Sequence, residues 1–216
     1  TGKKDFYGIE LRISEQVLDP RPDTETLVDW ALTLVQDLAT PQILDLGTGS
    51  GAIALALQHA RPQAHVWAAD ASTEALDVAR DNARRLGLPV QFVPSDWFAA
   101  FNHTPTTEGM ETPHRFDLIV SNPPYVAAAD THLAHMPHEP LSALVAGKDG
   151  LDDLRQIVAQ ATAHLKPGAW LLLEHGFDQA QAVQALLGNQ GFVAVQSRPD
   201  LAGILRCTGG QWPRVK

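Results

Sequence analysis

The stretch over residues 42–59 limits the possible folds more than any other part of the sequence. An apolar segment, Gln42–Leu46, runs directly into Gly47-Thr48-Gly49-Ser50-Gly51, and an apolar helical segment begins at Ala52. Three glycines in five residues let backbone amides approach a ligand closely. This order predicts a strand–turn–helix unit of an α/β sheet, with the five residues of the turn binding a ligand. A tight turn without a ligand is the alternative reading.

Strand-like and helix-like segments alternate along most of the chain. Apolar runs predict seven strands, at 42–46, 64–69, 90–93, 116–120, 170–173, 192–197 and 203–208. Residues at helical spacing predict helices at 24–39, 52–59, 73–86, 151–165 and 178–189. The alternation therefore predicts an α/β fold with a doubly wound, mostly parallel sheet.

The N-terminal region follows a different pattern. Apolar residues between 6 and 13, with a break at Gly8, predict a β-hairpin whose return strand lies at residues 17–18. We therefore divide the chain into a hairpin and linker at 1–22 and one domain at 23–216. The segment at 102–115 is rich in Thr, Pro and His, and we expect a mobile surface insertion there.

Composition narrows the functional classes. The chain has 216 residues, of which 44% are hydrophobic and 19% charged, as is typical of a globular domain. The formal net charge of −9 argues against broad nucleic-acid binding, which needs a positive surface. No apolar run is long enough to cross a bilayer, and the single cysteine, Cys207, cannot form an internal disulfide. We expect a cytoplasmic monomer without a metal site that binds neither membranes nor nucleic acid directly.

Acidic residues follow the second and third predicted strands. Asp70 stands where a carboxylate can accept both ribose hydroxyls of a nucleoside, with capping of the helix at 73–86 as the alternative. Asp96 and Trp97 stand where a carboxylate and an indole can line an adenine ring, with core packing of Trp97 as the alternative. Because the glycine turn also satisfies the dinucleotide pattern G-x-G-x-x-A, a nicotinamide enzyme remains open at this point.

The fourth predicted strand ends in a stiff polar tip. Asn122 follows the apolar run, and Pro123 and Pro124 then forbid ladder hydrogen bonds and restrict the backbone. The tip presents an amide, backbone carbonyls and the Tyr125 ring outside the carboxyl end of the strand, where ligands of open α/β sheets bind. Taken alone, Asn-Pro is also a common turn signal.

In combination these motifs resemble those of class I S-adenosylmethionine-dependent methyltransferases. The motifs are Asp45-Leu46-Gly47-Thr48-Gly49-Ser50-Gly51, Asp70, Asp96-Trp97-Phe98 and Asn122-Pro123-Pro124-Tyr125. The last motif is shared by enzymes that methylate planar amino nitrogens of adenine (N6) or glutamine (N5). Five further segments are similar to the peptide chain release factor N5-glutamine methyltransferase family. They are Phe6-Tyr7-Gly8, Pro20-Arg21-Pro22-Asp23-Thr24-Glu25, His138-Glu139-Pro140 with Ala143-Leu144, Asp149-Gly150-Leu151 and Leu172-Leu173-Glu174-His175-Gly176.

The resemblance implies a seven-stranded Rossmann-like sheet and a specific reaction. A methyl group passes from S-adenosylmethionine to the side-chain amide nitrogen of the glutamine in the Gly-Gly-Gln motif of a release factor, leaving S-adenosylhomocysteine. The implied cofactor-binding residues are Gly47, Thr48, Gly49, Ser50, Gly51, Asp70, Asp96, Trp97 and Asn122. The implied catalytic residues are Asn122, Pro123 and Tyr125, and these three bind the substrate together with Pro124. The Asn122 side-chain carbonyl and the Pro123 backbone carbonyl would each accept one hydrogen of the substrate amide.

Family members also carry a small helical domain ahead of the Phe-Tyr-Gly segment, and this sequence has no counterpart to it. The chain begins at Thr1 without an initiator methionine or a signal peptide. We therefore interpret the chain as a fragment, or as a form that lacks this domain.

Other functions remain open from the sequence. A glutamine methyltransferase of a ribosomal protein is a close alternative. An adenine-N6 nucleic-acid methyltransferase shares the Asn-Pro-Pro-Tyr motif but is disfavoured by the net charge. An inactive cofactor-binding module is the non-enzymatic alternative. Gly209-Gly210-Gln211 repeats the release-factor tripeptide; we interpret this as coincidence, with self-methylation as the alternative.

Overall fold

The computed structural model of the protein describes residues 2–102, 104–105, 111–129, 140 and 143–214. The strands are β1 (Lys3–Phe6), β2 (Ile9–Arg12), β3 (Gln42–Leu46), β4 (His65–Asp70), β5 (Gln91–Pro94), β6 (Thr104–Pro105), β7 (Glu111–Thr112), β8 (Phe116–Ser121), β9 (Leu165–Glu174), β10 (Val193–Pro199) and β11 (Leu205–Gln211). The helices are α1 (Glu25–Val35), α2 (Ala52–Ala60), α3 (Thr73–Leu86), α4 (Asp152–His164) and α5 (Ala180–Asn189). Short 3-10 turns lie at Pro22–Thr24 and Ala99–Phe101.

A seven-stranded sheet forms the centre of the molecule, in the order β10-β11-β9-β8-β3-β4-β5. The neighbouring pairs from β9 to β5 are parallel, whereas β11 is antiparallel to both β9 and β10. Within this sheet the chain enters at β3, proceeds through β4 to the β5 edge and returns to β8 on the other side of β3. The predicted doubly wound, mostly parallel α/β sheet is therefore confirmed.

Alternation of side chains along the strands produces one core on each face of the sheet. In β3, Ile43 packs with α1 and α2, while Leu44 and Leu46 pack on the opposite face with α4 and α5. In β8 the same alternation divides the buried residues, because successive side chains of a strand point to opposite faces. Both faces are covered, which explains why the predicted strands read as nearly continuous apolar runs.

The N-terminal hairpin is shorter than predicted. Tyr7 and Gly8 both have positive φ, 47° and 77°, so they form a tight two-residue turn of the kind that suits hairpins. The turn pairs β1 directly with β2, in register from Lys3 opposite Arg12 to Phe6 opposite Ile9. The prediction of a return strand at residues 17–18 was therefore wrong. Phe6, Ile9 and Leu11 are buried in the core that α1 and α2 share with the sheet.

Two further segments differ from prediction. The fifth strand of the sheet, β9, begins at Leu165, immediately after α4, and not at residue 170, and its pairing with β8 has an irregularity between Phe116 and Leu118. The segment at 102–115 contains the antiparallel pair β6–β7; residues 103 and 106–110 of this segment lie outside the described residues. Within the described part of the chain, no helix has both the length and the apolar character needed to span a bilayer.

Candidate active site

The candidate site lies at the point where the sheet reverses its winding direction. The carboxyl ends of β3 and β8 are neighbours there, and Ser121 Oγ donates a hydrogen bond of 2.7 Å to the carbonyl of Leu46. Crevices at such points are the usual ligand sites of open α/β sheets. A cavity of about 550 Å³ occupies this position, within the size range of small-molecule sites.

The glycine turn after β3 forms one wall of this cavity. Gly47, Gly49 and Gly51 have φ of 68°, 54° and 83°, a left-handed backbone that favours glycine. Gly47 and Gly49 line the cavity, as do Thr48 and Ser50. Gly51 does not line it; a Cβ there would lie 3.0 Å from the Leu55 side chain and 3.1 Å from that of Ala79. The backbone of Gly51 closes the turn, and its missing side chain allows α2 and α3 to pack closely.

Asp45 stabilises the glycine turn through hydrogen bonds. It is completely buried, and its Oδ2 accepts hydrogen bonds from Thr48 Oγ1 at 2.6 Å and from the Ala54 amide at 3.2 Å. Burial raises the pKa of Asp45 to about 7, although these two hydrogen bonds oppose the shift. Asp45 therefore joins the end of β3, the glycine turn and the start of α2 into one unit.

Asp70 lies at the predicted strand end and lines the cavity. Its Oδ2 accepts a hydrogen bond of 2.9 Å from the Gly49 amide, and its Oδ1 accepts one of 2.9 Å from the Ser72 amide. The cap of α3 is Ser72, whose Oγ accepts from the Ala75 amide at 3.1 Å. The helix-capping alternative for Asp70 was therefore wrong, and each of its oxygens keeps a lone pair for a ligand.

Asp96 and Trp97 form the next part of the wall. Both line the cavity; Asp96 is exposed and Trp97 is half-buried. Trp97 has a positive φ of 44°, an uncommon backbone conformation of the kind that clusters at ligand sites. A Cβ on Gly47 would lie 3.5 Å from the Trp97 ring, so the indole stands directly beside the glycine turn.

The charged side chains in the described lining of the cavity are all acidic, although Asp19 also pairs with Lys4 at 3.6 Å. Its described lining includes no lysine, arginine or histidine, and it includes six carboxylates, those of Glu15, Asp19, Asp70, Glu74, Asp96 and Asp153. Such a wall attracts a cation and repels a pyrophosphate. The electrostatics therefore disfavour the dinucleotide that the glycine pattern alone left open.

The Asn-Pro-Pro-Tyr tip separates this cavity from a smaller one of about 70 Å³. Pro124 lines the larger cavity, whereas Pro123 and Tyr125 line the smaller one. Asn122 lines both cavities. Its Nδ2 donates to Thr24 Oγ1 at 3.4 Å, and its buried Oδ1 has no hydrogen-bond partner among the described residues.

Segments distant in sequence fix the backbone of the Asn-Pro-Pro-Tyr tip. Gln179 Nε2 donates to the carbonyl of Tyr125 at 3.0 Å, and Gly150 approaches the same carbonyl so closely that a Cβ there would lie 2.2 Å from its oxygen. Val126 forms an isolated parallel bridge with Val145. The backbone after β8 is therefore fixed by contacts with residues 144–150 and with the start of α5.

Burial also shifts the pKa values of two ring-bearing residues near the tip, Tyr125 and His175. Burial is the main cause of the raised pKa of Tyr125, which keeps its hydroxyl neutral. His175 lines neither cavity; its Nε2 is 2.7 Å from Thr208 Oγ1, and burial lowers its pKa. His175 is therefore a neutral structural residue. His138 and Glu139, which the sequence resemblance includes, lie outside the described residues.

Several residues that line the larger cavity were not among the site residues predicted from the sequence. They include Glu15, Asp19, Thr24, Glu74 and Asp153, which line the larger cavity. The segment at 15–20 reaches the cavity because it runs from the hairpin past the carboxyl edge of the sheet. Its position depends on tertiary packing, although its Pro20-Arg21-Pro22 stretch stood out in the sequence.

The Gly-Gly-Gln tripeptide lines neither of the two cavities. Gly209 and Gly210 are buried in β11, where they pair with Leu172 and Leu171, and Gln211 pairs with Trp170 in the middle of β9. Gln211 Nε2 donates to the carbonyl of Gly168 at 2.9 Å. The tripeptide is therefore part of the sheet structure, which favours the interpretation as coincidence.

Comparison with known proteins defines the class of the protein. Residues 24–139 match the family model of the methyltransferase small domain. The fold is similar to a methyltransferase from Pyrococcus furiosus, with a TM-score of 0.67 at 16% identity, covering 96% of this chain and 90% of that one. It is also similar to the hMettl16 catalytic domain, with a TM-score of 0.72 at 15% identity, covering 97% and 77%. The fold and the family model together define a methyltransferase with a Rossmann-like sheet.

Curated relatives identify the family. The chain is 49% identical over 221 residues to the release factor glutamine methyltransferase of Burkholderia pseudomallei, covering 99% of this chain and 74% of that protein. It is 50% identical over 215 residues to that of Pseudomonas aeruginosa, covering 98% and 74%. The chain therefore belongs to the release factor glutamine methyltransferase family.

Proposed function

We propose that the protein transfers a methyl group from S-adenosylmethionine to the side-chain amide nitrogen of the glutamine in the Gly-Gly-Gln motif of a release factor. The observation that carries this proposal is the unpaired side-chain oxygen of Asn122. Its Oδ1 is a buried acceptor without a partner in the described structure, on a residue that lines both cavities. An unsatisfied buried acceptor typically destabilises a protein by about 1–3 kcal/mol, so it is expected where a ligand supplies the missing donor.

The larger cavity fits S-adenosylmethionine by size and by charge. Its six carboxylates suit a ligand with a positively charged sulfur, which, when bound, supplies an electrophilic methyl group. Asp70 would hold the ribose hydroxyls through the lone pairs that Gly49 and Ser72 leave free. Asp96 and Trp97 would line the adenine, and the backbone of the glycine turn would contact the rest of the ligand.

The smaller cavity would receive the glutamine amide. The substrate nitrogen carries two hydrogens, and Asn122 Oδ1 and the Pro123 carbonyl would each accept one. Two acceptors orient the nitrogen and stabilise the positive charge that builds on it during methylation. Tyr125, neutral and half-buried, would lie against the flat amide. A protonated amide nitrogen is strongly acidic, so the site needs no dedicated general base.

The choice of a release factor as substrate rests on the family. The relatives that match nearly the whole chain are named release factor glutamine methyltransferases. A nucleic-acid substrate is disfavoured because the protein has a formal net charge of −9 and an acidic cavity wall.

The test combines labelled S-adenosylmethionine, a purified release factor and mass mapping of the modified residue. Asn122→Ala should reduce turnover by about 10²–10³-fold, as loss of a preorganised charge-stabilising group does elsewhere, while the Kd for S-adenosylmethionine changes little. Asn189→Ala, at an exposed position at the end of α5, is the matched control and should be fully active. Near-normal turnover of Asn122→Ala would refute the proposed role, and methylation at another residue type would refute the substrate.

A further inference from the structure

Glu174 is a buried carboxylic acid beside the Asn-Pro-Pro-Tyr tip. It ends β9, and the register that pairs Ser121 with Leu173 places it next to Asn122 at the carboxyl edge of the sheet. Only 2% of Glu174 is exposed, and it lines neither cavity. Burying a carboxyl group is unfavourable unless partners compensate, so the nature of its partners indicates what the group does.

The partners of Glu174 are polar side chains of the site. Burial raises the pKa of its carboxyl to about 7, and hydrogen bonding from Thr24 and Asn122 opposes this shift. Its Oε2 has no hydrogen-bond partner in the described ranges. Arg206, whose charge also lowers the pKa, forms its ion pairs with Asp200 at 3.3 Å and with Asp23 at 3.8 Å. The carboxyl therefore lies beside Thr24 and beside Asn122, which carries the proposed acceptor, and it also senses the charges of Asp23 and Arg206.

The hydrogen-bond donors and acceptors of this cluster determine which end of the Asn122 amide faces Glu174 and Thr24. When the carboxyl is ionised it only accepts hydrogen bonds, so the Thr24 hydroxyl then donates its single hydrogen toward Glu174. The Thr24 oxygen then has lone pairs to accept from Asn122 Nδ2, as the 3.4 Å contact shows. Any direct contact of Asn122 with the carboxylate likewise uses Nδ2. Both interactions direct the Nδ2 end of the amide inward and leave Oδ1 as the free end.

The opposite amide orientation would be unproductive. It would turn Nδ2–H₂, a donor, toward the substrate nitrogen, which also carries hydrogens. Two donors would then face each other, and the substrate would lose an acceptor for the charge that develops on it. The two amide orientations have nearly the same shape, so packing alone discriminates poorly between them.

We propose that Glu174, acting directly and through the Thr24 hydroxyl, is a positioning residue that sets the orientation of the Asn122 side-chain amide for methyl transfer. This inference rests on the proposed function. Thr24 comes from the turn before α1, Asn122 from the end of β8 and Glu174 from the end of β9. The orientation of the Asn122 side-chain amide therefore depends on residues from three separate elements.

Three substitutions test the inference. Glu174→Gln keeps the shape but introduces a donor, so Thr24 is no longer forced to donate in one direction. Thr24→Val keeps the shape and removes the hydroxyl, whereas Thr24→Ser retains it. We expect kcat to fall on the order of 10- to 100-fold in Glu174→Gln and Thr24→Val, as for a misoriented reactive group. Thr24→Ser should restore most of the activity lost in Thr24→Val.

The readouts separate positioning from structural support. Melting temperature, the Kd for S-adenosylmethionine and the KM for the release factor are measured with each kcat, and Glu10→Gln on the exposed hairpin is the control. Loss of kcat with little change in the other three quantities supports the inference. An unimpaired Glu174→Gln enzyme overturns it, as does a kcat that falls only in proportion to the folded fraction. If Glu174→Gln fails to fold, the Thr24 pair decides. Absence of transfer by the wild-type chain would instead refute the proposed function.

Discussion

Gly150→Ala tests how strongly the backbone behind the tip controls activity. Gly150 has a φ of 74°, and a Cβ added there would lie 2.2 Å from the Tyr125 carbonyl oxygen and 2.8 Å from Gln179 Nε2. Carbon–oxygen contacts are normally about 3.3 Å or longer, so one of the two backbones must move by about 1 Å. Because the obstructing atom belongs to the backbone, no side-chain rotation can relieve the contact.

The expected effects follow from these distances. The left-handed conformation costs about 1–2 kcal/mol for alanine, and overpacking adds about 1–3 kcal/mol. A domain of this size loses about 2–4 °C in melting temperature per kcal/mol, so we expect a decrease of roughly 5–15 °C. A displacement of about 1 Å at the tip should also reduce kcat by about 10²-fold. The Kd for S-adenosylmethionine should change little, because the glycine turn is not involved.

The assay is thermal denaturation together with methyl transfer to a release factor at a temperature where the variant remains folded. Gly188→Ala is the matched control, since Gly188 lies in α5 with nothing within 4 Å of an added Cβ. That change should leave activity intact and stabilise the protein by up to about 1 kcal/mol. A Gly150→Ala enzyme with normal kcat and normal melting temperature would refute this account of the tip.

Three further predictions concern Asp45 and the Gly209-Gly210-Gln211 tripeptide. The pKa of Asp45 is raised by burial to about 7, so the folded protein without ligand should lose stability as pH rises from about 4 to 7 and stay less stable above that. Urea unfolding at pH 5 and pH 8 should show a difference of a few kcal/mol that Asp45→Asn reduces; an unaltered difference would contradict the assignment. Gly209→Ala places a Cβ 2.4 Å from the Leu172 side chain and 2.9 Å from the Trp30 ring. Thermal denaturation should show that this change destabilises the protein by about 1–3 kcal/mol. A much smaller loss of stability would contradict the prediction and indicate that β11 readjusts. Incubation with S-adenosylmethionine should leave the intact mass of the chain unchanged, and a gain of one methyl group would instead establish self-methylation.

The agreement between sequence prediction and structure depends on how local each signal is. The helix over 73–86 was predicted to the residue, because its apolar spacing and the stop at Gly87 are contiguous in sequence. The first core strand, Gln42–Leu46, was also predicted correctly. The hairpin was drawn too long, because its closure depends on two consecutive positive φ values and only one of those residues is a glycine.

Prediction of the site was more limited, for a related reason. Gly47, Asp70, Asp96 and Asn122 were predicted as site residues because each stands at or just after the end of a recognisable strand, and all four line the larger cavity. Thr24 and Glu174 had no proposed role, since a threonine near a helix start and a glutamate at a strand end are unremarkable alone. Asp45 appeared only as part of a motif, and its function in joining the turn to α2 depends on hydrogen bonds that the sequence does not reveal.

Hydrophobic periodicity and turn chemistry, both properties of neighbouring residues, were sufficient to predict the α/β class and the order of the elements. The family was predicted from the resemblance of the motifs to those of known enzymes. Strand order, register and packing decided which distant residues meet. They place Thr24 beside Asn122, 98 positions away, and they put Glu174 next to the same amide. They also place Gly209-Gly210-Gln211 in β11, paired with β9, where the tripeptide lines neither of the two cavities. The physical reason is that local patterns specify which faces are buried, whereas contacts between strand ends depend on the winding of the whole sheet.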